Sequence, residues 1–511
     1  MNFSAPVLDY TQIAPILIVL GAAVLSVLVE AFAKVQNRRS IQLAITFIAL
    51  VTALFATWNI KSAAVYGIGA VASLAIDPAA VILQIIILLS AIFGAMFIAE
   101  NKIDSQGDAF AARASALPGS EDEEAFTKRG WYQTEVWSLF LFSVGGMLIF
   151  PIANDFLTLF IALEVMSLPL YLLAGMARRR RIISQEAALK YFVLGAFASA
   201  FLLYGSALLY GFAGAVEFGA VASAISANSA NTGLLLFGAL FVLVGLLFKV
   251  GAAPFHQWTP DVYQGAPTAL TAFMSAATKV AAFGALLRVT YVALGGMQWE
   301  IEPVLWFIAG ITMLVGTIVG VAQSDVKRML AYSSIAHAGF LLLGVLAVNK
   351  DGLSGSLFYL AAYAFTSLGT FGVVTMIRDA SGEANQLGQY AGLGKKSPLL
   401  AGSFALLLLA LAGIPLTSGF TGKFAVFAAA FEAGAWPLVV LAVLASAIAG
   451  FFYVRLIVLM FFTEAQNDEV AVVVPSMFTK IAISASVIVT LVLGIIPGPM
   501  LDLLSDVVFL K

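Results

Sequence analysis

Long apolar runs separated by short polar stretches dominate the chain. Fourteen runs reach membrane-spanning length: residues 11–33, 41–60, 76–99, 131–150, 153–177, 184–211, 233–258, 266–294, 303–323, 327–348, 354–377, 397–434, 436–463 and 475–496. A helix that crosses the hydrocarbon layer needs about 20 mostly apolar residues. The runs are continuous and do not alternate in polarity, which excludes a β-barrel. The pattern predicts an all-α polytopic membrane protein of about fourteen transmembrane helices. No lysine or arginine precedes the first run, so a cleaved signal peptide is not expected.

Two runs are irregular. Segment 233–258 holds Gly251 and Pro254, and 397–434, too long for one straight span, holds Gly413, Pro415, Gly419 and Gly422. Proline removes a helix hydrogen bond and clashes with the preceding turn, so both segments are expected to be broken near their middles. The first is the fourth of the five spans in 131–294, and the second is the fourth of the five in 303–463. Five is odd, so consecutive copies must point in opposite directions. Two inverted repeats with matching broken helices are a transporter pattern. The predicted organisation is three N-terminal helices in 1–100, a cytoplasmic loop over 101–130, a five-helix repeat over 131–294, an inverted repeat over 303–463, and a last helix with its tail over 475–511.

Composition agrees. Only 11% of the 511 residues are charged, against about 25% in soluble domains. The chain has no cysteine and two histidines, which excludes disulfides, thiolate metal sites and cysteine-held iron–sulfur clusters, and leaves no plausible bis-histidine haem. A net charge of −2 gives no sign of a nucleic-acid partner. The stretch from Gly67 to Ala72 fits a dinucleotide-binding pattern, but no predicted strand precedes it and it is set aside. Gly316 and Gly320 read as a close helix contact. There is no phosphate-binding loop motif.

Cationic loops set orientation. Of 26 lysines and arginines, sixteen fall on one side: Lys34, Arg38, Arg39, Lys102, Arg113, Lys128, Arg129, Arg178 to Arg181, Lys327, Arg328, Arg378, Lys395 and Lys396. The other side holds Lys61, Arg288, Lys350 and Lys511. This split predicts a bacterial inner-membrane protein with both termini periplasmic. The acidic run Glu121 to Glu124 reads as part of a solvated cytoplasmic loop, or as a contact for a soluble neighbour.

Six cations remain inside spans: Lys190, Lys249, Lys279, Lys423, Arg455 and Lys480. Arg455 and Lys480 lie near cytoplasmic ends, where long side chains snorkel. Lys249, Lys279 and Lys423 sit deep in apolar runs, where a charge costs about 2.5–3.5 kcal/mol on insertion scales. Glu164 lies in the middle of its span, and Lys190 on the next helix is its expected partner. That pair reads either as a packing contact or as part of a site. Desolvation brings the titration of a buried lysine toward neutral pH, and a nearby carboxylate opposes this. Such a group can load and release protons without a cofactor. His256 follows the first break, and His337 stands in the second helix of the second repeat as Glu164 does in the first. Each reads either as packing or as a proton relay.

Three runs carry a family resemblance: Lys249 to Thr268 (KVGAAPFHQWTPDVYQGAPT), Ser324 to Gly339 (SDVKRMLAYSSIAHAG) and Gly413 to Phe424 (GIPLTSGFTGKF). Over roughly 130–460 the chain resembles the antiporter-like membrane subunits of respiratory complex I, the NADH–quinone oxidoreductase. Within that family it resembles the subunit N branch. Subunit M carries glutamate where Lys423 stands. Subunit L ends in a long lateral helix, for which the about fifteen residues after the last span leave no room.

The resemblance implies a proton-translocating subunit of that translocase without a redox centre of its own. NAD, FMN, iron–sulfur clusters and quinone would be held by other membrane and peripheral subunits. It implies a proton path through Glu164, Lys190, Lys249, Lys279 and Lys423, with His256 and His337 as further members. Protons would enter by way of Lys279, reach Lys249 and leave by way of Lys423, with Glu164 and Lys190 tuning Lys249. The alternatives are a subunit of the related multisubunit cation/proton antiporters, and a structural spacer.

Overall fold

The structure is a computed structural model. It describes all residues except 1–7, 71, 104–106, 112–119, 122–123, 126–131, 228–231, 380–381, 466–469 and 511. Arg113, Asp122, Glu123, Lys128, Arg129 and Lys511 lie outside the described residues.

The described helices, in chain order, are α1 (Tyr10–Phe32), α2 (Val35–Ser62), α3 (Pro78–Ile98), α4 (Glu135–Ile149), α5 (Phe156–Ala174), α6 (Arg181–Ala213), α7 (Thr232–Val250), α8 (Trp258–Gly265), α9 (Thr268–Ala293), α10 (Gln298–Val321), α11 (Val326–Leu346), α12 (Lys350–Thr375), α13 (Pro398–Ala412), α14 (Ser418–Glu432), α15 (Trp436–Phe462) and α16 (Met477–Ile495). Short helices Phe218–Ser226 and Gly498–Ser505 lie between and after them. Among the described residues thirteen helices are long and apolar enough to cross a membrane. The fourteenth predicted span is the broken pair α13 and α14. The chain is a multi-pass helical membrane protein.

Helix starts are written in the sequence. Asp77, Asp155, Asp325 and Asn349 precede α3, α5, α11 and α12, and each side chain accepts a hydrogen bond from a first-turn backbone N–H. Such caps satisfy donors that have no partner within the helix. Small strands lie in the connections: the hairpin β1 (Gly67–Gly69) with β2 (Leu74–Ile76), and a strip in which β3 (Ile377–Asp379) lies between β4 (Gly382–Glu383) and β5 (Ala471–Val472). At two or three residues each, they are too short to leave an alternating signature.

The layout separates a core from a periphery. Helices α9, α11 and α12 are almost wholly enclosed, whereas α1, α2, α15 and α16 keep most of their surface outward. Gly316 of α10 makes one core contact possible: a Cβ there would lie 2.4 Å from the Ala336 nitrogen of α11. Arg455 donates to the Val321 carbonyl at the end of α10 (3.2 Å), as expected of a cation reaching for a polar edge.

Both expected breaks are present, but the first lies beyond the middle of its run. Helix α7 continues for 19 residues and stops at Val250. Gly251 takes φ +76° and Gly413 takes φ +83°, the left-handed region that glycine enters at little cost. At each break the next residue's N–H bonds five residues back, Ala252 to Leu247 (3.0 Å) and Ile414 to Leu409 (3.1 Å). Both helices thus end in the same glycine-closed turn.

Candidate functional site

Helix α7 carries Lys249 in its last turn, wholly buried. Its ammonium donates to Ser167 Oγ (2.7 Å) and to the Tyr191 hydroxyl (3.3 Å). It lies 5.2 Å from the Tyr191 ring centroid and 5.7 Å from that of Tyr171, near enough for cation–π attraction. The Ser167 hydroxyl in turn donates a hydrogen bond to the Leu163 carbonyl. Glu164, one residue on from Leu163, interacts electrostatically with Lys249. Its Oε1 is buried without a hydrogen-bond partner.

Lys279 lies on α9 immediately after a widened turn over Met274–Thr278. Single turns of this kind recur at functional positions in helices. Its ammonium donates to the Ser334 carbonyl on α11 and lies 5.3 Å from the Tyr363 ring. Tyr363 donates to Ser334 Oγ (2.9 Å).

One helical turn further along α11 stands His337, fully enclosed. Its Nδ1 is 2.7 Å from the Tyr359 hydroxyl and its Nε2 is 3.4 Å from that of Tyr453. Tyr453 is in turn bonded to Ser333. His337 interacts electrostatically with both Lys279 and Lys423. Lys423, in the second turn of α14, donates to the carbonyls of Leu411 (3.0 Å) and Ala412 (2.9 Å) and to Ser446 Oγ (2.8 Å). It lies 4.9 Å from the Phe340 ring. A cavity of about 430 Å³ between α14 and α15 reaches Lys423 and Ser446.

Aromatic rings join the two halves. Tyr191 stacks on Trp258 (centroids 4.6 Å apart, 8° between planes), and Trp258 meets Tyr263 edge-on at 6.5 Å. Tyr263 borders Ser334 and Tyr363. The buried order is therefore Lys249, Tyr191, Trp258, Tyr263, Ser334 with Lys279, His337, Lys423. Lys279 therefore lies between the other two lysines along this buried series.

Two expected members stand apart. Lys190 does not pair with Glu164. It points to the outer side of α6, where it bonds Glu186 (2.8 Å) and Asp261 (2.9 Å). Helical spacing explains this, because Lys190 follows the outward residues Glu186 and Leu189 while Tyr191 faces in. His256 is half-buried, and its Nδ1 has no partner. It faces the Tyr332 ring at 6.4 Å and bonds none of the lysines.

The sequence reading missed Tyr191, Tyr263, Tyr359, Tyr363 and Tyr453. Tyrosine in an apolar run reads as packing, and the missed signal was that hydroxyls from α6, α8, α12 and α15 converge.

A second charged layer lies at the ends of these helices. Lys327 donates to Glu383 (3.0 Å) and to the Ala266 carbonyl (2.8 Å), and Thr268 N–H donates to Glu383 (3.1 Å). Burial alone would push the Glu383 carboxyl up. Lys327 and Arg378 beside it, with the Thr268 and Lys327 hydrogen bonds, instead hold it at about 2. These groups are paired. Among the described residues Lys249, Lys279 and Lys423 have no carboxylate within ion-pair distance.

Residues 153–449 match the family described as the NADH:quinone oxidoreductase/Mrp antiporter transmembrane domain. The chain is 54% identical to NADH-quinone oxidoreductase subunit N 3 of Streptomyces griseus, covering 99% of this chain and 95% of that one. It is 54% identical to subunit N of Rhodococcus opacus, covering 98% and 96%. Among solved structures it is similar to a chain of respiratory complex I from Thermus thermophilus with bound Aureothin, at 32% identity and a TM-score of 0.77, over 96% of this chain and 98% of that one. A chain of the Mrp complex from Dietzia shares the fold at 22% identity and a TM-score of 0.79, over 97% and 96%.

Proposed function

Because this chain belongs to the family of NADH-quinone oxidoreductase subunit N, we propose that it is the proton-translocating membrane subunit of such a complex, with no redox chemistry of its own. NADH, flavin, iron–sulfur and quinone steps fall to partner subunits on this reading. One observation carries it: three buried ammonium groups have, among the described residues, no carboxylate within ion-pair distance and bond only to hydroxyls and carbonyls. A packing role does not account for three such groups, each of which is costly to hold in hydrocarbon. Paired cations elsewhere in the chain show what a purely structural arrangement looks like, as in Arg288 with Asp77.

The buried polar groups extend from the Lys249 cluster past Lys279 and His337 to Lys423. Protons load at Lys279 from the cytoplasmic side, and Lys423 delivers them toward the periplasm. Glu164 sets the charge state of Lys249, and a change in Lys249 is felt at Lys279 through the intervening hydroxyls and rings. A neutral imidazole at His337 accepts at one nitrogen and donates at the other, which suits a relay between two lysines. The bias of cations to one side supports cytoplasmic loops after α3 and α10 and periplasmic termini. The two glycine-closed breaks support the division into repeats over 131–294 and 303–463. Identity of 54% to subunits N, against 22% to the Mrp chain, supports the oxidoreductase reading over the antiporter one.

The test is the complete complex reconstituted in vesicles, with protons moved per electron as readout. Lys249→Ala and Lys279→Ala are expected to assemble and to pump less. Wild-type stoichiometry in both assembled variants overturns the reading.

A further inference from the structure

Helix α8 is eight residues long and hangs between the first break and Pro267. It carries Trp258 and Tyr263, the two rings that separate Tyr191 from Ser334. So short a helix has little stability of its own, and its place must be set by what it is tied to. Trp258 Nε1 holds one end by donating to the Phe248 carbonyl (2.9 Å). On the outer side one carboxylate ties α8 to two neighbouring helices. Asp261 Oδ2 accepts from Lys190 of α6 at 2.9 Å, and its Oδ1 accepts from Arg328 of α11 at 2.7 Å. Glu186 shares Lys190. Gln264, on the same side of α8, accepts from Arg328 (3.0 Å) and donates to Asp325, the cap of α11 (3.1 Å). The helix bearing Tyr191 and the helix bearing Ser334 and His337 are therefore both fastened to α8 through Asp261.

We propose that Asp261 is a positioning residue for proton transfer, which by bridging Lys190 and Arg328 keeps Trp258 and Tyr263 in register between the Lys249 and Lys279 clusters. The inference rests on the proton-path reading above and gives Lys190 a role at the outer wall instead of beside Glu164. The bridge is partly exposed, with the Asp261 side chain 30% accessible, and partly exposed ion pairs contribute little to stability. Its removal is thus expected to shift geometry without unfolding the chain.

The experiment uses the assembled complex in vesicles, with Asp261→Asn, Asp261→Glu and Lys279→Ala compared for amount of complex, NADH–quinone turnover and protons moved per electron. Asp261→Asn is expected to assemble at wild-type level and to pump at a rate lower by about twofold or more, within the range seen for changes along a coupled network. Asp261→Glu is expected to restore most of the loss. In the double variant with Arg328→Gln the two losses should not add, because both act through one bridge. If Asp261→Asn pumps normally while Lys279→Ala does not, the inference fails and the proton path stands. If Lys279→Ala also pumps normally, the path fails and takes the inference with it. Pumping that falls only in proportion to assembled complex assigns Asp261 a structural role and overturns the proposal.

Discussion

The Lys423 ammonium reaches back across the second break to donate to the Ala412 carbonyl at 2.9 Å. Carbonyls in the last turn of a helix have no partner within it, and at membrane depth no bulk water replaces one. Lys423 therefore fills two needs at once: it closes the end of α13 and places an ammonium next to the cavity between α14 and α15. Lys249 precedes Gly251 and Lys423 follows Gly413, yet both ammonium groups belong to the neighbourhood of a glycine-closed helix end. Lys423→Gln keeps a donor for those carbonyls and removes the charge. The expected outcome is an assembled complex with reduced proton transport, read as protons moved per electron. Normal coupled turnover removes Lys423 from the path.

Gly413 is tied to the same arrangement. Its φ is +83°, and a Cβ would lie 3.0 Å from Lys423 Cδ and 3.1 Å from its Nζ. Gly413→Ala is expected to destabilise the chain by about 1–2 kcal/mol from the left-handed backbone alone. The crowded lysine must move as well, so transport should fall more than stability does. Thermal unfolding together with transport in the same preparation checks this.

His337 interacts electrostatically with both Lys279 and Lys423. Tyr359→Phe deletes only the hydroxyl 2.7 Å from Nδ1 and leaves the ring in place. If proton transfer passes His337, this variant should slow transport while leaving assembly unchanged. His337→Gln, which cannot exchange a proton between two ring nitrogens, should slow it further. Equal transport in wild type and both variants would show that His337 only fills space.

The spans, the two breaks and the three lysines inside apolar runs were legible because each rests on a local signal: run length, a Gly–Pro cluster, a charge inside hydrocarbon. The partner of Lys190 was not legible. Its ion pair with Asp261 depends on which side of α6 faces out, and apolar residues surround a membrane helix on every side, so periodicity gives no direction. Asp261 itself read as part of a motif and not as a bridge, because Arg328 lies 67 positions away. The tyrosines were missed for the same reason. A hydroxyl declares its role only when another helix brings its acceptor.

Arg288, counted from the sequence with the cations of the periplasmic side, is fully buried against Asp77 with two parallel hydrogen bonds of 2.8 and 2.9 Å. Asp77 Oδ2 also accepts from the Leu510 N–H (3.0 Å), and the Arg288 guanidinium lies 4.6 Å from the Phe509 ring. One carboxylate thus fastens α3, α9 and the tail after α16. Asp77→Ala leaves a buried guanidinium without its partner, which costs about 3–5 kcal/mol in comparable cases. The expected result is poor assembly or a lowered Tm, with proteolysis of the tail as an independent readout.

Glu383 offers a test in pH. Lys327 and Arg378 hold its carboxyl at about 2, against an ordinary value of 4.5. A carboxyl whose value is depressed on folding stabilises the folded chain above its unfolded value and loses that contribution as pH falls through the folded one. Stability from Glu383 should therefore be complete above pH 4.5 and decline between 4.5 and about 2. Glu383→Gln removes the anion between α9 and α11, where Thr268 and Lys327 now donate to it. The variant should unfold at a lower temperature than wild type near neutral pH, and the gap should narrow as the pH drops below 4.5. A gap that stays constant across that window would mean that the carboxylate charge is not what holds this layer together.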